Sequence, residues 1–197
     1  DPGADMFYID MQNCASLLAR VELVGGGVGG RWASLAARAA GWVDNHLMAF
    51  TDVHTIMPLA HERRPEACRH LASLAAFAQT DDDNARRVRD HVLPVCTAVD
   101  AFYAGDYGRT IDLLFPRKDD LVAIGGSHAQ RDVFHLMLLE AALRAGRFDL
   151  ARTLAGERVT LRAHSHGSWL KYAEALDGLE DPGAGAARRH AALTRAA

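Results

Sequence analysis

Residues that favour β-strands are scarce in this chain of 197 residues. Valine and isoleucine together number 16, against 36 alanines and 23 leucines. β-Branched residues favour strands, whereas alanine and leucine favour helices. A doubly wound parallel sheet needs several Val- and Ile-rich runs, and apart from two short stretches beside glycine clusters the chain has none. The composition therefore predicts an all-α protein.

A strong excess of charge is also missing, since the net charge is −3 and the isoelectric point about 6.4. This balance gives no reason to expect a nucleic-acid partner or an anionic membrane surface. No apolar run approaches the roughly 18–20 residues that span a bilayer. We therefore expect neither a nucleic acid nor a membrane as a partner.

Cysteines are few, and none forms a C-x-x-C pair. Cys14, Cys68 and Cys96 all fall in apolar helical patterns, which predicts reduced core residues of a cytoplasmic protein. The acidic and polar start, DPGADMFYIDMQN, is unlike a signal peptide. Because the first residue is not Met, we expect the chain to be part of a longer protein.

Apolar residues recur with helical spacing along nearly the whole chain. An early stripe runs through Cys14, Leu17, Leu18, Val21 and Val24, and similar stripes predict roughly ten helices joined by short turns. Short turns between neighbouring helices favour antiparallel hairpins. The predicted fold is thus a single domain over 1–197 of stacked antiparallel helical hairpins. Residues 180–197 are predicted to form a weakly packed C-terminal helix or tail.

Two stretches repeat one local pattern, which places a glycine and a polar residue before an aromatic one. Residues 102–115 align with residues 143–156, and another pair of segments is related by a shift near 34, the tetratricopeptide period. We expect Gly105 and Gly146 to stop the helices that precede them. They are 41 residues apart, so the period is irregular. The sequence therefore predicts an irregular, tetratricopeptide-like α-solenoid.

The segment GGGVGG contains Gly25, Gly27 and Gly30 in the G-x-G-x-x-G order of dinucleotide-binding loops. Dinucleotide binding requires a β-α-β unit, and no convincing second strand follows Asp44. In a helical array the glycines instead join two antiparallel helices, with Gly25 as the left-handed residue after the first. We favour the helix-turn interpretation.

The segment LVAIGGSHAQRDVF resembles the nucleophile elbow of α/β-hydrolases at Ser127. The sheet and the oxyanion loop of those enzymes are missing. Ser127 and Gln130 have the spacing of a capping box, in which each side chain bonds the other's backbone N–H at a helix start. We favour the capping box.

The histidines do not predict a metal site. His54 and His61 would lie roughly 10 Å apart along one helix, too far to share an ion, and H-E-x-x-H is absent. The simpler prediction is that His54 and His128 are packing residues satisfied by Asp52 and Asp132. We predict no metal and no cofactor.

Residues 126–132, GSHAQRD, gather a hydroxyl, an imidazole, an amide, a guanidinium and a carboxylate at one helix start. Arg131 and the free N–H groups could recognise a carboxylate or phosphate, so a small anionic ligand is one candidate. The alternative is a capping network of Arg131 and an aspartate that ties two repeats together. The sequence leaves both open.

Several of these strings together resemble one family. NCASLLARVEL with GGRW, FTDVHTIMPLA, GDYGRTIDLL and above all GGSHAQRDVF are similar to the C-terminal part of the tetratricopeptide repeat protein 38 family. The resemblance runs from about Phe7 to Leu176 and implies a helical-repeat fold with partner binding on a concave surface. It implies no catalytic role for any residue. The family's shared polar residues would fall at Asn13, Arg20, Glu22, Asp52, His54, Ser127, Gln130, Arg131 and Asp132.

Two functions follow as expectations. The first is a non-enzymatic interaction module that binds a peptide or partner protein in a groove. The second is an enzyme or small-molecule binder, with His54 or His128 as general base and Arg131 as anion clamp. The candidate ligand-binding residues are Asp52, His54, His128, Gln130, Arg131 and Asp132. No catalytic residue is assigned.

Overall fold

The computed structural model describes residues 7–195, and every regular element in that range is helical. The α-helices, in chain order, are α1 (Tyr8–Leu23), α2 (Arg31–Ala39), α3 (Ala49–His61), α4 (Pro65–Phe77), α5 (Asp83–Arg87), α6 (Leu93–Ala104), α7 (Tyr107–Leu114), α8 (His128–Arg144), α9 (Phe148–Leu161), α10 (His166–Gly178) and α11 (Ala184–Arg195). A π-helical turn, Val88–Val92, joins α5 to α6 without a break. The predicted all-α class is confirmed, whereas solenoid stacking of the hairpins stays a prediction.

The helices divide into two compact units, and the division falls within α8, between Met137 and Leu138. In the first unit α3 packs against α1, α2 and α6. In the second unit α10 packs against α9 and α11. The stretch predicted as a C-terminal helix or tail contains α11. No helix within residues 7–195 has both the length and the apolar character that a bilayer crossing requires.

Helix α3 is enclosed by its neighbours. Every residue from Ala49 to Ala60 is buried, including the polar side chains of Asp52 and His54. Pro58 lies inside this helix. A helix buried on all sides can carry polar groups only if other elements supply their hydrogen-bond partners. The polar side chains of α3 and the groups that contact them therefore form a candidate site.

The predicted helix ends at Gly25, Gly105 and Gly146 are confirmed. All three glycines have positive φ angles, of 82°, 81° and 68°. Each helix closes with the paired bonds of a Schellman motif. At Gly105, for example, the glycine N–H bonds the Phe102 carbonyl at 3.0 Å and the next N–H bonds the Ala101 carbonyl at 2.9 Å. Because GGGVGG thus connects α1 to α2, the dinucleotide interpretation is wrong.

Two predictions about apolar positions need correction. Cys14 and Cys68 are exposed, and only Cys96 is buried. In the first stripe Leu18 is buried, but Leu17 and Val24 are 61% and 69% exposed. The reason is that α1 turns another face inward, in which Ala15 and Ala19 allow close approach of the neighbouring helices. The buried residues of α1 are Met11, Gln12, Ala15, Leu18, Ala19 and Leu23.

Candidate functional site

The start of α8 is organised by the predicted capping box. The Ser127 N–H donates to Gln130 Oε1 at 2.8 Å, and the Gln130 N–H donates to Ser127 Oγ at 3.3 Å. These reciprocal bonds satisfy two backbone groups that a helix start leaves unpaired. Ser127 therefore serves as a helix cap, and the nucleophile-elbow alternative is not supported.

The charged residues of the first turn of α8 make both local and long-range hydrogen bonds. Arg131 donates from Nη1 to the Gly125 carbonyl at 3.3 Å and to the Gly126 carbonyl. Asp132, which is 4% exposed, accepts from Arg20 Nη1 of α1 at 3.0 Å. Arg20 also donates from Nη2 to the Ala129 carbonyl at 2.6 Å. This arrangement matches the capping-network alternative in part, although the long-range partner of Asp132 is Arg20.

His54 is fully buried in α3, and its environment keeps the ring neutral. Burial is the main cause that lowers its pKa to about 4, with a further contribution from the positive charge of Arg20. Its bond to the Phe50 carbonyl acts in the opposite direction. Nδ1 lies 2.7 Å from that carbonyl and so carries the proton. The expected pairing of His54 with Asp52 is wrong, because no group of the described residues bonds Nε2.

The carboxylate of Asp52 instead meets two other histidines. His46, in the segment before α3, places Nδ1 3.0 Å from Asp52 Oδ1. His70, on α4, places Nε2 3.9 Å from the same oxygen and 3.2 Å from the Asp52 backbone carbonyl. The side chains of all three residues are at most 6% exposed. We call these three residues the His–Asp cluster.

Burial shifts the pKa values of Asp52 and His70 in opposite directions. It raises the pKa of Asp52, against the hydrogen bond from His46 and the charges of both histidines. It also lowers the pKa of His70, against the bond to the Val43 carbonyl and the proximity of Asp52. The second carboxylate oxygen, Oδ2, is buried and has no hydrogen-bond partner among the described residues. A buried carboxylate oxygen without a hydrogen-bond partner destabilises the folded state unless another group compensates its charge.

A third group extends the cluster. His46 Nε2 lies 2.8 Å from Ser73 Oγ on α4, which gives the order hydroxyl, imidazole, carboxylate. That order matches the chain of bonds in acyl-transfer enzymes. Such enzymes also require N–H donors for the developing oxyanion. Ser73 lies inside α4, where neighbouring backbone N–H groups are bonded within the helix, so the arrangement does not favour acyl transfer.

The six predicted site residues make different sets of hydrogen bonds, although His54 packs against Phe134 of α8 with ring centroids 5.6 Å apart. Asp52 belongs to the His–Asp cluster, whereas His54 is bonded within its own helix. Gln130, Arg131 and Asp132 bond around the start of α8, where His128 is exposed.

Sequence reasoning missed the roles of His46, His70 and Ser73. A weak signal existed, since His70 and Ser73 share one face of α4 at a spacing of three residues. Nothing in the sequence indicated that this face meets Asp52.

A separate feature of the first unit is an apolar recess of about 340 Å³. Phe7, Tyr8, Trp42, Asn45, Leu47, Met48 and Thr51 line it. Gln12 Nε2 donates to Thr51 Oγ1 at 2.9 Å, which fixes α1 to α3 beside this recess. Leu47 is 84% exposed and Phe7 is 67% exposed, so large apolar side chains that line the recess are exposed to solvent. We call this feature the apolar recess.

Compared with known proteins, the chain matches no family model and no solved structure. The resemblance to the tetratricopeptide repeat protein 38 family therefore stays a prediction.

Proposed function

We propose that this protein is an interaction module that binds a peptide segment of a partner protein through the apolar recess. The observation that carries the proposal is the concentration of exposed large apolar side chains around one concavity. Leu47, Phe7, Met48 and Tyr8 are 84%, 67%, 41% and 40% exposed. Contiguous exposed apolar surface of this kind is typical of binding sites. The proposal keeps the partner-binding function expected from the sequence and gives it a location.

The lining chemistry fits an apolar anchor side chain. Tyr8 and Trp42 supply rigid aromatic surface, which is enriched among the residues that dominate binding energy in interfaces. Asn45 adds an amide that can bond a peptide backbone. A ligand with a large apolar side chain beside a polar backbone can pack on the aromatic rings and hydrogen-bond the Asn45 amide. A peptide with a Leu, Phe or Met anchor has this chemistry.

The size of the recess favours a short peptide over a second copy of the chain. Seven residues line it, whereas a stable protein–protein interface uses about 20–30 residues on each side. Short peptides bind such sites through one or two anchors. We therefore expect modest affinity, which depends strongly on the few residues around the recess.

The test is a selection of random peptides displayed on phage against the purified chain. We expect selected peptides to share a large apolar residue and to bind, by fluorescence polarisation, with a Kd below about 100 μM. Leu47→Asp places a charge beside the recess at a position exposed enough to leave folding intact. This variant should weaken binding at least about tenfold, as expected for loss of an interface anchor.

Leu161→Asp is the matched control, because Leu161 is 78% exposed at the end of α9 in the second unit. It should leave peptide affinity unchanged. Equal binding by wild type and Leu47→Asp, or failure to select any peptide, would contradict the proposal. Sedimentation of the free protein tests whether a second copy of the chain, and not a peptide, occupies the apolar recess. A dimer that Leu47→Asp converts to a monomer would show that a second copy fills the recess.

A further inference from the structure

The His–Asp cluster gathers three metal-ligating side chains from three separate elements. His46 comes from the segment before α3, Asp52 from the first turn of α3 and His70 from α4. One ligand atom from each residue lies within 4.8 Å of the other two. Tetrahedral zinc with bonds of about 2.0–2.1 Å holds its ligand atoms about 3.3 Å apart. Separations of 3.0 Å and 3.9 Å from Asp52 Oδ1 bracket that value.

Both histidines are held by their other ring nitrogen. His46 Nε2 lies 2.8 Å from Ser73 Oγ, and His70 Nδ1 lies 3.0 Å from the Val43 carbonyl. Metal-binding histidines characteristically donate their second N–H to such an oxygen, which fixes the tautomer and the ring orientation. The bond to Val43 thus leaves a lone pair on His70 Nε2 that points towards Asp52. The bond to Ser73 can do the same for His46 Nδ1.

The count of hydrogen-bond donors is short by at least one. Both ring nitrogens of His70 face carbonyl oxygens, of Val43 at 3.0 Å and of Asp52 at 3.2 Å. A neutral imidazole carries a single N–H, so one of these contacts brings a lone pair against an oxygen. Asp52 Oδ2, in addition, has no hydrogen-bond partner within the described part of the chain. A cation bound by His70 Nε2 and the Asp52 carboxylate would pair with the ring lone pair and compensate the carboxylate charge.

We infer that His46, Asp52 and His70 bind one divalent transition-metal ion of the zinc type. Two imidazoles with one carboxylate favour zinc and its neighbours, whereas magnesium and calcium prefer oxygen ligands alone. Three protein ligands leave a fourth position for water or another small ligand. This inference does not depend on the apolar recess, because the lining of the recess includes none of the three ligands.

The test begins with protein stripped by a chelator and then incubated with Zn²⁺ or Co²⁺. After desalting, elemental analysis should find one ion per chain. The Co²⁺ form should show the visible absorption of a low-symmetry site of four or five ligands. His70→Gln and Asp52→Asn should each abolish retention of the ion on desalting. Ser73→Ala keeps all three ligands and should weaken affinity by about 10–100-fold, because it removes only the hydrogen bond behind His46.

His164→Gln is the matched control, since His164 is an exposed histidine outside the cluster. It should retain one ion. Circular dichroism identifies the variants that fold. If the ligand variants do not fold, the wild type is titrated with Zn²⁺ instead, and a thermal midpoint that rises and saturates at one equivalent supports the site. Less than about a tenth of an equivalent on the wild type overturns the inference. So does full retention by folded His70→Gln and Asp52→Asn, or loss of the ion in His164→Gln.

Discussion

Burial divides the three cysteines into two reactivity classes. Cys14 and Cys68 are exposed, whereas Cys96 is buried in α6. Burial raises the pKa of Cys96 well above its usual value, and the nearby charge of Asp52 adds to the effect. Because the thiolate is the reactive species, a buried thiol with a raised pKa reacts slowly. The similar apolar patterns around the three cysteines gave no sign of this difference.

We predict that an aromatic disulfide reagent will titrate two thiols of the native protein quickly and the third only after unfolding. The measurement is the absorbance of the released thiolate at neutral pH, with and without denaturant. Cys96→Ala is the control and should keep the two fast thiols while it removes the slow one. Three fast thiols in the native wild type would contradict the burial of Cys96.

Individual residues also show where sequence reasoning stops. The bonds between Ser127 and Gln130 were predicted because both partners lie within one helical turn. The contacts of Asp52 with His46 and His70 were not, although Asp52 itself was a candidate. Those partners are 6 and 18 residues away along the chain. The approach of His70 depends on how α4 packs beside α3, and that of His46 depends on the path of the segment before α3. Local spacing encodes neither.

At the scale of elements, helix ends were predictable where glycine marks them. Gly25, Gly105 and Gly146 all end helices, as the sequence predicts. Arg63 and Glu180 occupy the same left-handed position, with φ angles of 54° and 55°, and their N–H groups make the same bonds. The left-handed region costs a non-glycine residue about 1–2 kcal/mol. These two ends escaped prediction because their residue types do not signal that conformation.

Helix α10 offers a test of packing against helix propensity. Alanine normally stabilises a helix by about 1 kcal/mol relative to glycine. At Gly178, however, a Cβ atom would overlap the ring of Phe148, which begins α9. Overpacking of this kind costs about 1–3 kcal/mol. Because the overlap outweighs the gain in helix propensity, we expect Gly178→Ala to lower the free energy of unfolding by up to about 2 kcal/mol.

The matched substitution is Gly167→Ala in the first turn of the same helix. A Cβ atom at Gly167 would meet nothing within 4 Å, so this change should raise the free energy of unfolding by up to about 1 kcal/mol. Urea unfolding followed by circular dichroism measures both. If the two variants shift stability in the same direction, the close approach of Phe148 to α10 is wrong.

At the scale of the molecule, one ion pair joins positions 112 residues apart. Arg20 of α1 and Asp132 of α8 have side chains only 29% and 5% exposed. Partly buried, charge-assisted hydrogen bonds contribute about 1.5–3 kcal/mol. Arg20→Ala should therefore lower the free energy of unfolding by about 2–3 kcal/mol, measured by urea denaturation.

The surface pair of Arg69 and Asp44 supplies the comparison. Its side chains are 59% and 65% exposed, and exposed pairs contribute between about 0 and 1 kcal/mol. Arg69→Ala should change the free energy of unfolding by less than about 0.5 kcal/mol. Equal losses in the two variants would show that Arg20 does not stabilise the first unit through Asp132.

The all-α class, which the structure shows over residues 7–195, was the most predictable property, because it depends on composition and on local periodicity summed over many residues. The orientation of single helices was less predictable. Helix α1 offers two plausible apolar faces, one through Leu17 and Val24 and the other through Ala15 and Ala19. The choice between them depends on which neighbour packs there, and that is a tertiary effect.

The enclosure of α3 has a practical consequence for immunochemistry. Residues 49–60 are covered on every side in the folded chain, so an antibody raised against that peptide has no epitope to reach. The antibody would recognise only molecules in which α3 has been exposed by local or global unfolding. Such a reagent would count unfolded chains directly in a mixed population, without a spectroscopic probe.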